Sequence, residues 1–407
     1  MRRRARDDDG LRNGRGRGRR GAARATRTAG APGRYARLRA RQRRGRAAAA
    51  IGGPETGGPV HLGPVGRPAS RRIPGGGGGG RVRIAVTGAR GFVGPHLVAH
   101  LEACGDDVLS LDRHGPNAFD VTDADAVHAA FHDARPDVVY HLAALSHVGE
   151  SWKSPAASFR VNAEGTLNVL RACTELAVHR VVVVLSSEEY GKVAEADLPL
   201  TEDSPLRPVT PYGAAKVAAD FLALQAFLGD GLGTIRVRPF GHTGPGQSDR
   251  FVVPALAARI AAAERDGVDE IPVGSLDAIR DLTDVRDVVR AYRLLAEHGK
   301  PGEVYNVCSG RGVSIQEVAD LLLARATRPI RLVTDPTLVR SVDVSRLVGA
   351  NGRLQEATRW TPQIPLETTL ADVLEVARDA VAPVAPSAVL ARRDPALDAT
   401  GSRRTRS

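Results

Sequence analysis

Methionine occurs once in this 407-residue chain, at Met1, and cysteine three times, at Cys104, Cys173 and Cys308. Cysteines so far apart make neither a metal-spaced cluster nor an even disulfide framework. This excludes a disulfide-stapled scaffold, offers no metal site and fits a reducing compartment. No apolar run reaches the length needed to cross a bilayer, and no stretch near Met1 resembles a signal-peptide core. Aromatic residues are scarce too, at 4% of the chain. These absences lead us to expect a soluble, cytoplasmic protein with no membrane partner.

Spread evenly, the net charge of +11 would suggest a polyanion partner. It is not spread evenly. The first 80 residues hold 21 Arg and no Lys against Asp7, Asp8, Asp9 and Glu55, an excess of 17 that leaves the rest of the chain at −6. The same stretch is rich in Gly, Ala and Pro, ends in the run Gly75 to Gly80, and has almost nothing apolar to bury. Disorder is therefore expected over 1–80. Tyr35 is its only aromatic residue, too few for a base-stacking platform, so nucleic-acid binding is not the expectation. With Met1 the only methionine, the alternative is a misassigned start, the body beginning at a non-Met codon near Val82. Residues 383–407, rich in Pro, Ala and Arg, read as a frayed tail.

From residue 81 the pattern changes to alternating strands and helices. Apolar runs predict strands at 82–87, 108–112, 138–143, 181–186 and 234–239, with helical periodicity near 92–104, 123–133, 156–178 and 212–228. This alternation predicts an α/β fold built on a doubly wound parallel sheet over 81–240. Beyond 241 the pattern is less regular, with short strands near 271–274, 304–308 and 330–334 and helices near 252–264, 284–297 and 314–325. Residues 241–382 are expected to form a smaller lid on the sheet's carboxyl edge.

The turn Thr87-Gly88-Ala89-Arg90-Gly91-Phe92-Val93-Gly94 lies between the first strand and the first helix. There, main-chain N–H groups at a positive helix end suit a nucleotide pyrophosphate. Gly88 would allow the sharp turn, Gly91 the close approach of the diphosphate and Gly94 the packing of helix on sheet. Asp112, at the end of the second strand, is placed to accept from the adenosine ribose hydroxyls of NAD. Arg113 and Arg90 are placed instead to neutralise the 2′-phosphate of NADP, so the two cofactors stay open. Asp120 and Val121 follow where a pair could hold the adenine edge. Leu142, Ala143 and Ala144 close the 138–143 strand with side chains small enough for a cofactor to lie close.

Pro211-Tyr212-Gly213-Ala214-Ala215-Lys216 carries the strongest catalytic signal. Pro211 suits a first helical position, which puts Tyr212 and Lys216 on one helix face. A phenol with a pKa of about 10 needs a nearby cation to exchange protons near neutrality, and Lys216 would supply it while holding the nicotinamide ribose. Ser187, at the Ser186-Ser187 strand end, would hydrogen-bond the reacting oxygen.

Residues 81 to 380 resemble the extended short-chain dehydrogenase/reductase family, the NAD-dependent epimerases and dehydratases. The resemblance is carried by SHVGESW (146–152), FRVNAEGTL (159–167), PVTPYGAAK (208–216), HTGPGQ (242–247), FVVP (251–254), VGSLDAIRDLTDVRD (273–287) and YNVCSG (305–310). Within the family the chain looks like the branch of GDP-6-deoxy-mannose reductases and GDP-mannose 4,6-dehydratases, and HTGPGQ with the 273–287 stretch favours the reductases. The resemblance implies a Rossmann-type fold, NADP or NAD as cofactor, a GDP-sugar substrate and a homodimer through the helices near 156–178 and 212–228. It implies Arg280 at the diphosphate, Arg340 and Asp343 at the nucleoside, Ser146, Ser187 and Glu188 at the sugar, and Asn162 supporting the site.

The implied reaction delivers hydride to the carbon-4 ketone of GDP-4-keto-6-deoxy-mannose. Tyr212 gives up its proton, Lys216 and Ser187 stabilise charge, and the product is GDP-rhamnose. A 4,6-dehydratase would instead need Glu188 or Glu189 to remove the carbon-5 proton, and a non-catalytic nucleotide-sugar binder is the third reading. Three departures from the family pattern bear on this. The Ser-Ser-x-Glu-Val-Tyr-Gly pattern reads Ser186-Ser187-Glu188-Glu189-Tyr190-Gly191, one residue shorter, which shifts the serine and glutamate that face the substrate. Gly241 replaces an asparagine, and Ser341 a proline.

Overall fold

The computed structural model describes residues 81–338 and 345–382. The expected disorder of 1–80 and 383–407 lies outside the described residues. The chain runs β1 (Arg83–Thr87), α1 (Val93–Ala103), β2 (Asp107–Leu111), α2 (Ala124–Ala134), β3 (Val138–His141), α3 (Val148–Lys153), α4 (Pro155–Phe159), α5 (Gly165–Glu175), β4 (Arg180–Val184), α6 (Pro211–Asp230) and β5 (Thr234–Pro239). It continues through β6 (Gly241–Thr243), α7 (Val252–Asp266), β7 (Glu270–Val273), β8 (Ile279–Asp284), α8 (Val285–His298), β9 (Val304–Val307), β10 (Gly312–Ser314), α9 (Ile315–Leu323), β11 (Arg331–Thr334), β12 (Arg346–Leu347), α10 (Gly352–Thr358) and α11 (Leu366–Val381). No helix among the described residues is long and apolar enough to cross a membrane.

The main sheet is parallel in the order β2-β1-β3-β4-β5-β9. Except for the half-exposed edge strand β2, its strands are buried on both faces, as continuous runs such as Val181-Val182-Val183 require. Alternate residues feed two cores. Val86, Tyr140, Val182 and Val237 pack with Leu97 of α1 and Val288 and Leu295 of α8. Ala85, Val139, Val181 and Val183 pack with Phe131 of α2, Val169 of α5 and Ala219 and Ala223 of α6. The strand order reverses between β1 and β3, the switch point at which a crevice opens at the carboxyl ends of an open α/β sheet.

Two expectations change. The helix predicted over 156–178 is split into α4, a π-turn at Arg160–Glu164 and α5. Both ends of the Asn162 amide in that π-turn bond the main chain of Leu145 instead of continuing a regular face. Nor do residues beyond 241 form one separate lid. The chain leaves the sheet at β6 and returns, because the apolar stripe of α8 fills the α1 face and Val304-Tyr305-Asn306-Val307 adds β9 to β5. The smaller body is built from β6, β8, β10 and β12, the β7–β11 pair, and the core of α7, α9 and α11.

Asp281 ties this smaller body to the sheet. Its buried carboxylate accepts from Ser309 N at 2.8 Å, Ser309 Oγ at 2.6 Å, Gly310 N at 2.9 Å and Gly349 N at 3.3 Å. These bonds hold the chain after β9 and the chain after β12 against β8, next to Arg280. Replacing Asp281 by Ala strands three main-chain donors. Urea unfolding of Asp281→Ala should show a loss of about 3 kcal/mol, the scale of leaving buried donors unpaired.

Candidate active site

The carboxyl ends of β1 to β5 open into one cleft of about 1390 Å³. A pocket for one small molecule runs to roughly 300–1,000 Å³, so this cleft has room for a dinucleotide and a second ligand. The glycine turn forms one end. Gly88 has φ +71°, and a Cβ there would lie 2.7 Å from the main-chain nitrogen of Ala143. A Cβ on Gly94 would meet the Ala89 carbonyl at 2.3 Å. Phe92, at the N-cap of α1, offers no capping side chain, so the helix's first N–H groups are left for a ligand.

Beside this turn the Asp112 carboxylate accepts from Arg90 N at 3.0 Å and more weakly from His114 N at 3.4 Å. Arg90, Arg113, Asp120 and Val121 line the same end. Hydrogen bonds from Thr122 hold the Asp120 carboxyl below its ordinary range, and Arg113 adds to this. Leu142, Ala143 and Ala144 line the cleft between this end and α6.

At the other end, Thr210 caps α6 by accepting from Gly213 N at 3.0 Å, and Pro211 begins the helix. The main-chain N–H of Tyr212 donates to Ser151 Oγ at 3.2 Å. Lys216 Nζ donates to the Val184 carbonyl at 2.8 Å and lies 6.0 Å from the centre of the Tyr212 ring. Burial pushes the Tyr212 phenol up, and a hydrogen bond from Ser186 opposes that shift. Burial also pulls the Lys216 ammonium down to about 8, against the charge of Glu189. A protonated phenol beside a readily titrated amine can release and recover a proton.

The serine that meets Tyr212 is Ser186, not Ser187 as the sequence suggested. Ser186 is extended and caps the turn Ser187–Glu189, accepting from Glu188 N at 3.2 Å. Both serines line the cleft, but it is the Ser186 hydroxyl that acts on the Tyr212 phenol, while Ser187 sits one residue into the turn. The two glutamates also separate. Glu188 lines the cleft, while Glu189 is fully buried, accepts from Ser186 N at 3.2 Å and pairs with Arg238 at 3.0 Å. Asn162 is fully buried and supports Leu145 from behind rather than bordering the cleft. Ser146 and Arg280 line the cleft, and Arg340 and Asp343 lie outside the described residues.

Three cleft residues were missed from sequence. Arg259 follows Val252, Ala255 and Leu256 on one face of α7, a spacing of three, four and seven residues that the periodicity already contained. Arg250 lines the entrance and pairs with Glu150 of α3. His242 stacks on Phe92 of the glycine turn at 6.0 Å, a contact no local signal announces. Gly241 is explained by pairing. A Cβ there would sit 2.8 Å from the Asp281 carbonyl of β8, so the side chain found in the family does not fit here.

Residues 84–308 match the profile of the NAD dependent epimerase/dehydratase family. The chain belongs to that family. GDP-6-deoxy-D-mannose reductase of Pseudomonas aeruginosa is 38% identical over 295 residues, covering 72% of this chain and 96% of that protein. The solved structure of RMD from Pseudomonas aeruginosa complexed with NADPH superposes with a TM-score of 0.68 at 37% identity, over 74% of this chain and all of that one. UDP-glucose 4-epimerase of Thermus thermophilus, solved in complex with NAD, gives a TM-score of 0.66 at 29% identity, again over 74% of this chain and all of that one. The protein is an NAD(P)-dependent enzyme of the extended short-chain type, and the close approach at Gly88 with the open end of α1 fits such a cofactor.

Lys216 is one of only four lysines in the chain, so its titration can be followed directly. In the dinucleotide-free protein its ε-carbon NMR shift should titrate near pH 8, with the charged form below that value. A midpoint near the 10.4 of a free lysine would show that burial does not govern this group.

Proposed function

We propose that the protein reduces the 4-keto group of GDP-4-keto-6-deoxy-D-mannose to give GDP-D-rhamnose. The observation that carries this reading is the Ser186–Tyr212–Lys216 arrangement at one end of a cleft whose other end suits a dinucleotide. When bound, the nicotinamide supplies the hydride. Ser186 and Tyr212 both face the position of a carbonyl oxygen and can donate to it. Burial keeps Tyr212 protonated until a more basic alkoxide takes the proton, and Lys216, held by the Val184 carbonyl, stabilises the phenolate left behind. Arg280 and Arg259 supply positive charge for the substrate diphosphate, with Arg340 and Asp343 assigned to the nucleoside. The similarity to the Pseudomonas reductase supports GDP as the nucleotide.

NADPH is the favoured donor in this reading. Arg90 and Arg113 border the adenosine end, and Asp112 is already engaged by two main-chain N–H groups. Glu188 on the cleft wall supports a second reading, 4,6-dehydration of GDP-mannose, since Glu189 is committed to Arg238. We further propose a homodimer through α4 and α6, where Phe159, Phe221 and Leu228 are exposed by 54%, 58% and 65%.

Purified enzyme should oxidise NADPH faster than NADH when given GDP-4-keto-6-deoxy-mannose. Tyr212→Phe should lower kcat by about 10²–10⁴-fold, and Ser186→Ala by about 10²–10³-fold. Ser187→Ala should change kcat only slightly. No turnover of the keto sugar, with GDP-mannose consumed instead, would establish the dehydratase; tight binding of both ligands without turnover would identify a binder. Light scattering should give a dimer that Phe221→Glu with Leu228→Glu converts to a monomer.

A further inference from the structure

One phenol at the cleft is unaccounted for by this mechanism. Tyr292 of α8 is fully buried, and its hydroxyl has no hydrogen-bond partner among the described residues. A buried hydroxyl without a partner is costly, and such groups are usually satisfied by something else. Thr283 Oγ1 and Arg180 Nε are also unpartnered, but neither residue borders the cleft. Tyr292 does border it, and its hydroxyl is close enough to Tyr212 for the two to interact electrostatically. No hydrogen bond joins the Tyr292 hydroxyl to Tyr212, so Tyr212 does not relieve it.

The position of Tyr292 narrows the ligand. It packs in the apolar layer that carries Val93, Leu142 and Val184, and all three also line the cleft. This strip runs from the glycine turn to the strand end whose carbonyl holds Lys216. A dinucleotide with its diphosphate at the glycine turn and its second ribose at Lys216 lays its pyridine ring at the far end of the strip. The carboxamide is the only polar substituent on that ring.

We infer that the Tyr292 hydroxyl hydrogen-bonds the carboxamide of the cofactor's nicotinamide ring, from the cleft floor. The inference rests on the dinucleotide reading of the cleft. A hydrogen bond to the carboxamide favours one orientation of the ring about its glycosidic bond, so Tyr292 also biases which face of the pyridine meets the substrate.

The test compares Tyr292→Phe with the wild type for two ligands, NADPH and 2′-phospho-ADP-ribose, which is the same nucleotide without its nicotinamide. Dissociation constants are read by calorimetry. The substitution removes only an unpartnered oxygen, so the melting temperature of the ligand-free variant should equal or exceed that of the wild type. NADPH should bind the variant roughly threefold to tenfold more weakly, the effect of one hydrogen bond, while 2′-phospho-ADP-ribose binds both proteins equally. Equal losses for both ligands, or no loss for either, would overturn the inference and leave the dinucleotide reading intact. Wild-type protein that binds neither ligand would remove the reading and the inference together. If the variant fails to fold, wild-type protein supplies the answer: it should bind the thionicotinamide analogue, a weaker acceptor, less tightly than NADPH, and equal affinity would overturn the inference.

Discussion

A buried cluster of charges beneath the strand ends holds the reaction end of the cleft in place. Asp220 of α6 accepts from Arg236 at 2.7 Å and from Arg238, both on β5. Arg238 also reaches Glu189 at 3.0 Å and the Tyr190 hydroxyl at 3.1 Å, and that hydroxyl donates to Asn306 of β9 at 2.7 Å. Two carboxyl groups face two guanidinium groups, and nearly every polar atom has a partner, the condition under which buried charge is tolerated. Burial and the neighbouring Asp220 push the Glu189 carboxyl well above the usual range. The cluster joins α6, which carries Tyr212 and Lys216, to β5, to β9 and to the turn that carries Ser186. Ser186, Tyr212 and Lys216 are thereby referred to the same rigid sheet.

The two ligand ends are connected through the smaller body. His96 of α1 bonds the Pro245 carbonyl at 2.9 Å, and His242 stacks on Phe92. The segment after β6 is thus fastened to the glycine turn, while β6 itself pairs with β8, which bears Arg280. The parts expected to hold the dinucleotide and those expected to hold the sugar nucleotide share one packed frame. Burial keeps the His242 ring largely neutral, which suits a stacking role.

Much of the framework was legible because it rests on local patterns. The five strands of the first half and the helices bearing Gly94 and Lys216 follow from apolar periodicity, and Thr210 with Pro211 marks the start of α6 from sequence alone. The residues brought together at the dinucleotide end came from strand ends, and a parallel sheet necessarily collects its strand ends on one edge. What was misread shares a different cause. Along the chain Ser186 and Ser187 look equivalent, whereas the extended backbone and cap at Ser186 set it apart from Ser187, one residue into the turn. The helix expected over 156–178 is interrupted by a π-turn, which aims the Asn162 amide at Leu145 so that it supports the cleft wall from behind.

The amino-acid sequence by itself determined the fold class, the glycine turn, the Tyr212–Lys216 helix face and the family, since each is encoded in spacing over a few turns or strands. Tertiary structure alone decided that α8 and β9 belong to the sheet, that Glu189 is buried while Glu188 faces the cleft, and that Gly241 leaves no room for a side chain. It also brought the buried Tyr292 to the wall of the cleft. These outcomes depend on contacts between segments tens to more than a hundred residues apart, where burial and close packing, rather than local preference, select the side chain that faces the ligand.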